Sequence, residues 1–217
     1  MQRICYLHEQ KGYKPESLFS AASVFDYYLQ TIGMNSFPKE QIITLATISV
    51  LMSAKLEQPI SPSFSRMVGL LSEDEKRIVN KKGLIKLEEA ILKKFGFDFN
   101  FQSPICSLER YLRLLNYDLE PKVFSLCFQI LKASLTVPSF LAYPPSKMAA
   151  CAAIIAINIF EKDREDKFGG HFSTGDTLNT DLWNHQTVHK ITGYAIEDIK
   201  ICLYELANFC SNQLKTK

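Results

Sequence analysis

The chain has 217 residues and a formal net charge of +2. That length suits one large domain or two of about 100 residues each, and the near-neutral charge gives no pull toward nucleic acid, a membrane surface or acidic substrates. Apolar residues at 47% and charged residues at 22% place it among ordinary globular chains.

The longest uncharged runs fall short of the roughly 20 residues a bilayer crossing needs, so no membrane partner is expected. The opening MQRICYLHEQKGYK lacks the apolar core of a signal peptide, which points to the nucleus and/or the cytoplasm. Cys5, Cys106, Cys127, Cys151, Cys202 and Cys210 are scattered without a CxxC pair. Several lie inside apolar helical patterns, where a free thiol behaves as a small hydrophobe. Neither a metal site nor a disulfide framework is indicated.

In chain order, 16–31 places Leu18, Phe19, Ala22, Phe25 and Leu29 at helical spacing. Gly33 and Asn35 break that helix before a second, which starts near Pro38 and stops near Gln58-Pro59. A short helix follows at 63–71. The run SEDEKRIVNKK over 72–82 is dense in charge and is expected to be exposed. An amphipathic helix covers about 83–96, with Leu84, Leu87, Ile91, Leu92 and Phe95 on its inner side. The stretch FDFNFQSP, 97–104, reads as an extended linker ending in proline.

Helices are then expected at 106–117, 121–136 and 145–161. The Gly-, Thr- and Asp-rich stretch 163–180 reads as a mobile surface loop. Helices at 181–192 and 195–212, separated by Thr192-Gly193, complete the chain.

Two of these helices are written alike. IITLATISVLMSA (42–54) carries no charge, and MAACAAIIAINIF (148–160) has Asn158 as its single polar side chain. Each follows proline, which fits a first helical turn because its missing N–H would be an orphan there. A helix apolar on every face must be surrounded by other helices. The expected fold is therefore all-α: two units, 1–100 and 104–214, each of about five helices around a central buried one.

Several segments resemble the cyclin family, in order along the chain. ESLFSAASVFDYYL (16–29) is similar to the second cyclin-box helix, with its Asp at position 26. LMSAKLEQPISP (51–62) resembles the end of the central helix, and LIKLEEAILKKFGFDFNFQSP (84–104) the last helix of the box and its exit. FLAYPPSKMAACAAIIA (140–156) is similar to the buried helix of the C-terminal cyclin fold. LWNHQTVHKITGYAIEDIKICLYEL (182–206) resembles the ending of A/B-type cyclins, Trp and Thr-Gly-Tyr included.

The resemblance implies tandem cyclin folds and a regulatory subunit that binds and activates a cyclin-dependent kinase catalytic subunit in cell-cycle control. No catalysis of its own and no cofactor are expected. Lys55 matches the family lysine that bonds kinase backbone, and Glu88 the glutamate beside it. Met52, Leu56, Leu92, Phe97 and Phe99 match the apolar slot for a kinase side chain, with Leu56 in place of the usual aromatic. Asp26 matches the aspartate that pairs with a first-helix arginine, for which Arg3 is the candidate.

MQRICYLHEQ stands where the family carries Met-Arg-Ala-Ile-Leu and a Trp, so the patch that docks kinase substrates and inhibitors cannot be assigned. This departure keeps open a second class, a cyclin-fold scaffold in a larger complex without kinase activation. A paired-fold DNA-binding factor is a third class, but the basic face and zinc ribbon it needs are missing. His185 and His189 lie four apart, as zinc pairs do, yet no Glu follows His185, no third ligand is obvious and His171 lies in a loop, so exposed helix residues are the reading. Lys76, Arg77, Lys81, Lys82 and Lys86 are interleaved with acids, which reads as a solvated face and not as a nucleic-acid surface.

Overall fold

The computed structural model describes residues 1–33, 36–60, 62–168 and 185–215, the side chains of 165–168, 185–187 and 213–215 excepted. The described residues form helices and no strand. Contacts divide the chain into two compact units, Met1–Gln102 and Ser103–Lys217.

The first unit contains α1 (Gln2–Lys11), α2 (Pro15–Ile32), α3 (Ile42–Glu57), α4 (Phe64–Val68), α5 (Glu73–Ile78) and α6 (Lys81–Lys94). Pro15 opens α2 at a position that needs no N–H, and Gly12 closes α1 in a left-handed conformation at φ 59°. Every residue of α3 from Thr44 to Ala54 is buried, because α1, α2, α4, α5 and α6 all pack against it. Thr47 returns its hydroxyl to the Ile43 carbonyl at 2.7 Å, which removes one polar cost of that burial.

The second unit repeats the plan with α7 (Pro104–Leu114), α8 (Pro121–Ser134), α9 (Pro145–Phe168), α10 (His185–Thr192) and α11 (Ile196–Lys215). Here α9 is the centre, packed against α7, α8, α10 and α11. Ala149, Ala150, Ala152 and Ala153 are at most 1% exposed, and such small side chains let neighbouring helices approach closely. Among the described residues no helix is long and apolar enough to cross a membrane.

Two local expectations gain detail and two need correction. The charged run 72–82 is largely exposed, as expected, and also holds a helix, α5, fixed by a capping box in which Ser72 and Glu75 satisfy each other's backbone N–H groups. Residues 98–102 carry no helix, as a linker does, yet they are packed: Phe95, Phe99 and Phe101 pack on one another, and Phe95 and Phe101 on Tyr27 of α2, with ring centroids 5.0 to 6.2 Å apart. Pro104 does not end that stretch but opens α7, behind a Ser103 cap that accepts from the Ile105 N–H. The buried helix of the second unit continues through Lys162–Phe168, past the expected stop at 161, while 169–180 of the expected loop lie outside the described residues.

Candidate functional site

Charged side chains at the end of α3 and the middle of α6 come together first. Lys55 is the last-turn cation of α3, where the helix dipole favours positive charge, and the orphan Gln58 N–H returns to the Ala54 carbonyl. Glu88 sits midway along α6, which Asn80 starts by accepting from the Gly83 N–H at 2.7 Å. Lys55 Nζ donates to Glu88 Oε1 at 2.5 Å, linking the two helices. Their side chains remain 38% and 23% exposed, so donor and acceptor capacity stays open to a partner.

The matched apolar residues take different positions around that pair. Leu56 is 57% exposed and Phe97 70% exposed, while Leu92 and Phe99 are half-buried. Phe97 stands over the end of α6, its N–H bonded to the Leu92 carbonyl at 3.1 Å. Phe99 belongs to the aromatic cluster with Phe95 and Phe101. Met52, at 4% exposure, is part of the α3 core and can form only the floor of a slot.

Sequence reasoning missed a groove of about 180 Å³ beside the Lys55–Glu88 pair, with Leu51, Pro62, Phe64 and Ile85 among its walls. Its one sequence signal is Ile85, an apolar side chain between Lys82 and Lys86 that is 52% exposed on α6.

The expected Arg3–Asp26 ion pair does not form. Arg3 donates instead to Glu75 of the α5 capping box and to the Leu70 carbonyl, because α1 carries its guanidinium to that end of the unit. Asp26 is half-buried on α2, where burial pushes its carboxyl up to about 6 against the opposing pull of the amino-terminal ammonium. Lys76 and Arg77 pair with Glu73 and Asp74 at 2.7 and 3.4 Å, as a solvated helix face does. His189 is exposed, the His185 side chain lies outside the described set, and so do His171 and Trp183.

In the second unit the Thr-Gly-Tyr turn does structural work. Thr192 Oγ1 accepts from the Tyr194 N–H at 3.1 Å, Gly193 takes φ 77°, and the Tyr194 hydroxyl meets Ser146 Oγ at 2.7 Å near the start of α9.

Fold and site together define a tandem all-helical protein with an exposed Lys55–Glu88 pair beside exposed Leu56. Residues 1–100 match the family described as Cyclin, N-terminal domain, and residues 98–217 match Cyclin, C-terminal domain. The chain belongs to the cyclin family. It is 25% identical over 199 residues to Cyclin-A2 of Xenopus laevis, covering 91% of this chain and 41% of that protein. It is 27% identical over 175 residues to G2/mitotic-specific cyclin-2 of Saccharomyces cerevisiae, covering 79% of this chain and 33% of that protein. The G2/mitotic-specific cyclin CLB2 of Candida albicans is 25% identical over 193 residues, covering 87% of this chain and 33% of that protein. The chain thus spans 33% to 41% of the length of these relatives.

Proposed function

We propose that this chain is the regulatory subunit of a cyclin-dependent protein kinase, acting in the nucleus and/or cytoplasm in cell-cycle control. The observation that carries the reading is the Lys55–Glu88 pair joining α3 to α6 beside exposed Leu56 and Phe97. A Lys donor and a Glu acceptor side by side satisfy backbone groups that docking would otherwise bury unpaired. The neighbouring apolar side chains supply area to bury against an aliphatic anchor on the kinase.

The chain does no chemistry in this reading. It binds one of two kinase conformations more tightly, with the kinase C helix turned inward, and so shifts the population toward it. In that conformation the kinase's own Lys–Glu pair forms and holds the ATP phosphates for transfer. The residues of the usual substrate-docking patch cannot be assigned in MQRICYLHEQ.

The test is affinity capture with wild type beside a Lys55→Ala/Glu88→Ala double variant, assaying captured kinase for phosphoryl transfer. A half-exposed ion pair contributes at most about 1 kcal/mol to folding, so the variant should keep its helical circular dichroism. Wild type should retain an active kinase and the variant should lose it. Capture of the same partners by both, none of them a kinase, would favour the scaffold reading.

A further inference from the structure

An open groove in the second unit takes no part in the proposed kinase contact. Proline starts a short 3-10 helix, Pro138–Ala142, ahead of α9, and its Phe140 ring turns inward to 6% exposure. Phe209 of α11 meets that ring edge to face, with centroids 5.6 Å apart. Between the two elements lies a groove of about 410 Å³, with Val137, Ser139, Phe140, Glu205, Asn208 and Phe209 among its walls.

The chemistry of this groove is one-sided. Glu205 is the charged side chain in its wall, and no lysine or arginine of the described residues lines it. The Tyr143 hydroxyl donates to Glu205 Oε2 at 2.9 Å, a bond that raises the Tyr143 pKa above its ordinary value. A carboxylate offers about four acceptor sites, so one phenol leaves most of them open. Apolar surface continues past the groove. Ile201 and Tyr204, 66% and 53% exposed, share one face of α11 with Glu205 and Asn208 through their i, i+3, i+4, i+7 spacing. A single exposed apolar side chain is ordinary, but contiguous apolar surface rimmed by polar groups marks an interaction site.

Charge decides what can lie there. An acidic segment is repelled by Glu205. A wholly apolar one buries the carboxylate against surface that cannot bond it, and an unpaired buried charge is costly. A cation next to the apolar side chain removes that cost, and its aliphatic stem covers ring surface as well. We propose that the groove between Pro138–Ala142 and α11 docks a segment of a partner protein that places an aliphatic or aromatic side chain beside a lysine or arginine. The apolar side chain packs over Phe140 and Phe209, and the cation bonds Glu205. Ser139 and Asn208 supply hydrogen bonds to the segment's backbone, and Ile201 and Tyr204 extend the contact along α11.

The full chain is tested on an array of immobilised peptides. In each, one aliphatic or aromatic residue neighbours lysine, arginine, glutamine or glutamate in a glycine-serine background. Wild type should select the lysine and arginine peptides and bind them less well as salt rises. The best of them, carrying a fluorophore, is then titrated by anisotropy. Glu205→Gln keeps an acceptor for Tyr143, and should weaken that peptide about tenfold and erase the preference for lysine or arginine over glutamine. Asn208→Trp fills the groove from an exposed position and should abolish binding, with helical circular dichroism unchanged; where it misfolds, Glu205→Gln decides alone. The proposal is overturned if no peptide binds, if glutamine or glutamate peptides bind equally well, or if Glu205→Gln binds like wild type. It is also overturned if sedimentation shows a dimer that these variants dissolve, since a second copy would then fill the groove.

Discussion

Phe97 is held at φ 63°, a conformation that L side chains pay roughly 1–2 kcal/mol to adopt, yet its ring is 70% exposed. Strain without burial in return marks a side chain presented outward. Replacing Phe97 with glycine removes the strain and little buried area, against glycine's extra unfolded-state entropy. Phe97→Gly should therefore leave denaturant stability within about 1 kcal/mol of wild type, while kinase capture weakens at least about tenfold. Equal capture by both would remove Phe97 from the interface. Asp26 makes a prediction in pH. Its carboxyl titrates near 6 in the folded chain against 3.8 ordinarily, so stability is fullest below 3.8 and is lost as pH rises through 6. Asp26→Asn should raise the melting midpoint near pH 7.5 and converge with wild type near pH 4, a difference thermal scans resolve. A constant offset at all pH values would deny Asp26 that role.

Helix α5 shows how an element hides behind its own composition. Ser72-Glu73-Asp74-Glu75 has the spacing of a capping box, but charge density reads as a solvated run. Six residues carry no apolar period, so the cap is the one local sign of the helix. Ser72 Oγ accepts from the Glu75 N–H, and the Glu75 carboxylate takes both the Ser72 N–H and Arg3. Ser72→Ala should cost about 1 kcal/mol in urea unfolding, with wild-type stability in the variant counting against the cap. The 97–102 stretch hides for another reason. Its alternating aromatics suggest extended backbone, and the surface they pack on comes from Phe95 and from Tyr27, far earlier in the sequence on α2.

At the scale of the whole molecule, each unit surrounds its own buried helix with its own partners, α3 in one and α9 in the other. A segment with an enclosed core is expected to fold by itself. A fragment spanning Met1–Gln102 should show helical circular dichroism with a cooperative melt, and should retain kinase capture because Lys55, Glu88 and Phe97 all lie within it. The fragment Ser103–Lys217 should fold and fail to capture; the reverse result would move the interface to the second unit.

The sequence by itself determined the helical class, the two uncharged central helices and the order of elements around them. Those follow from apolar period and from proline and glycine punctuation, which act over a few residues. It also singled out Lys55 and Glu88 through the resemblance of the surrounding segments to the cyclin box. Tertiary structure decided the rest. Arg3 bonds to Glu75 and not to Asp26, Met52 lies in the core while Leu56 is exposed, and Cys202 meets Met148 across α9 and α11. Each depends on how far one helix is rotated and slid against another. That is fixed by the packing of side chains distant in sequence, which no local pattern records.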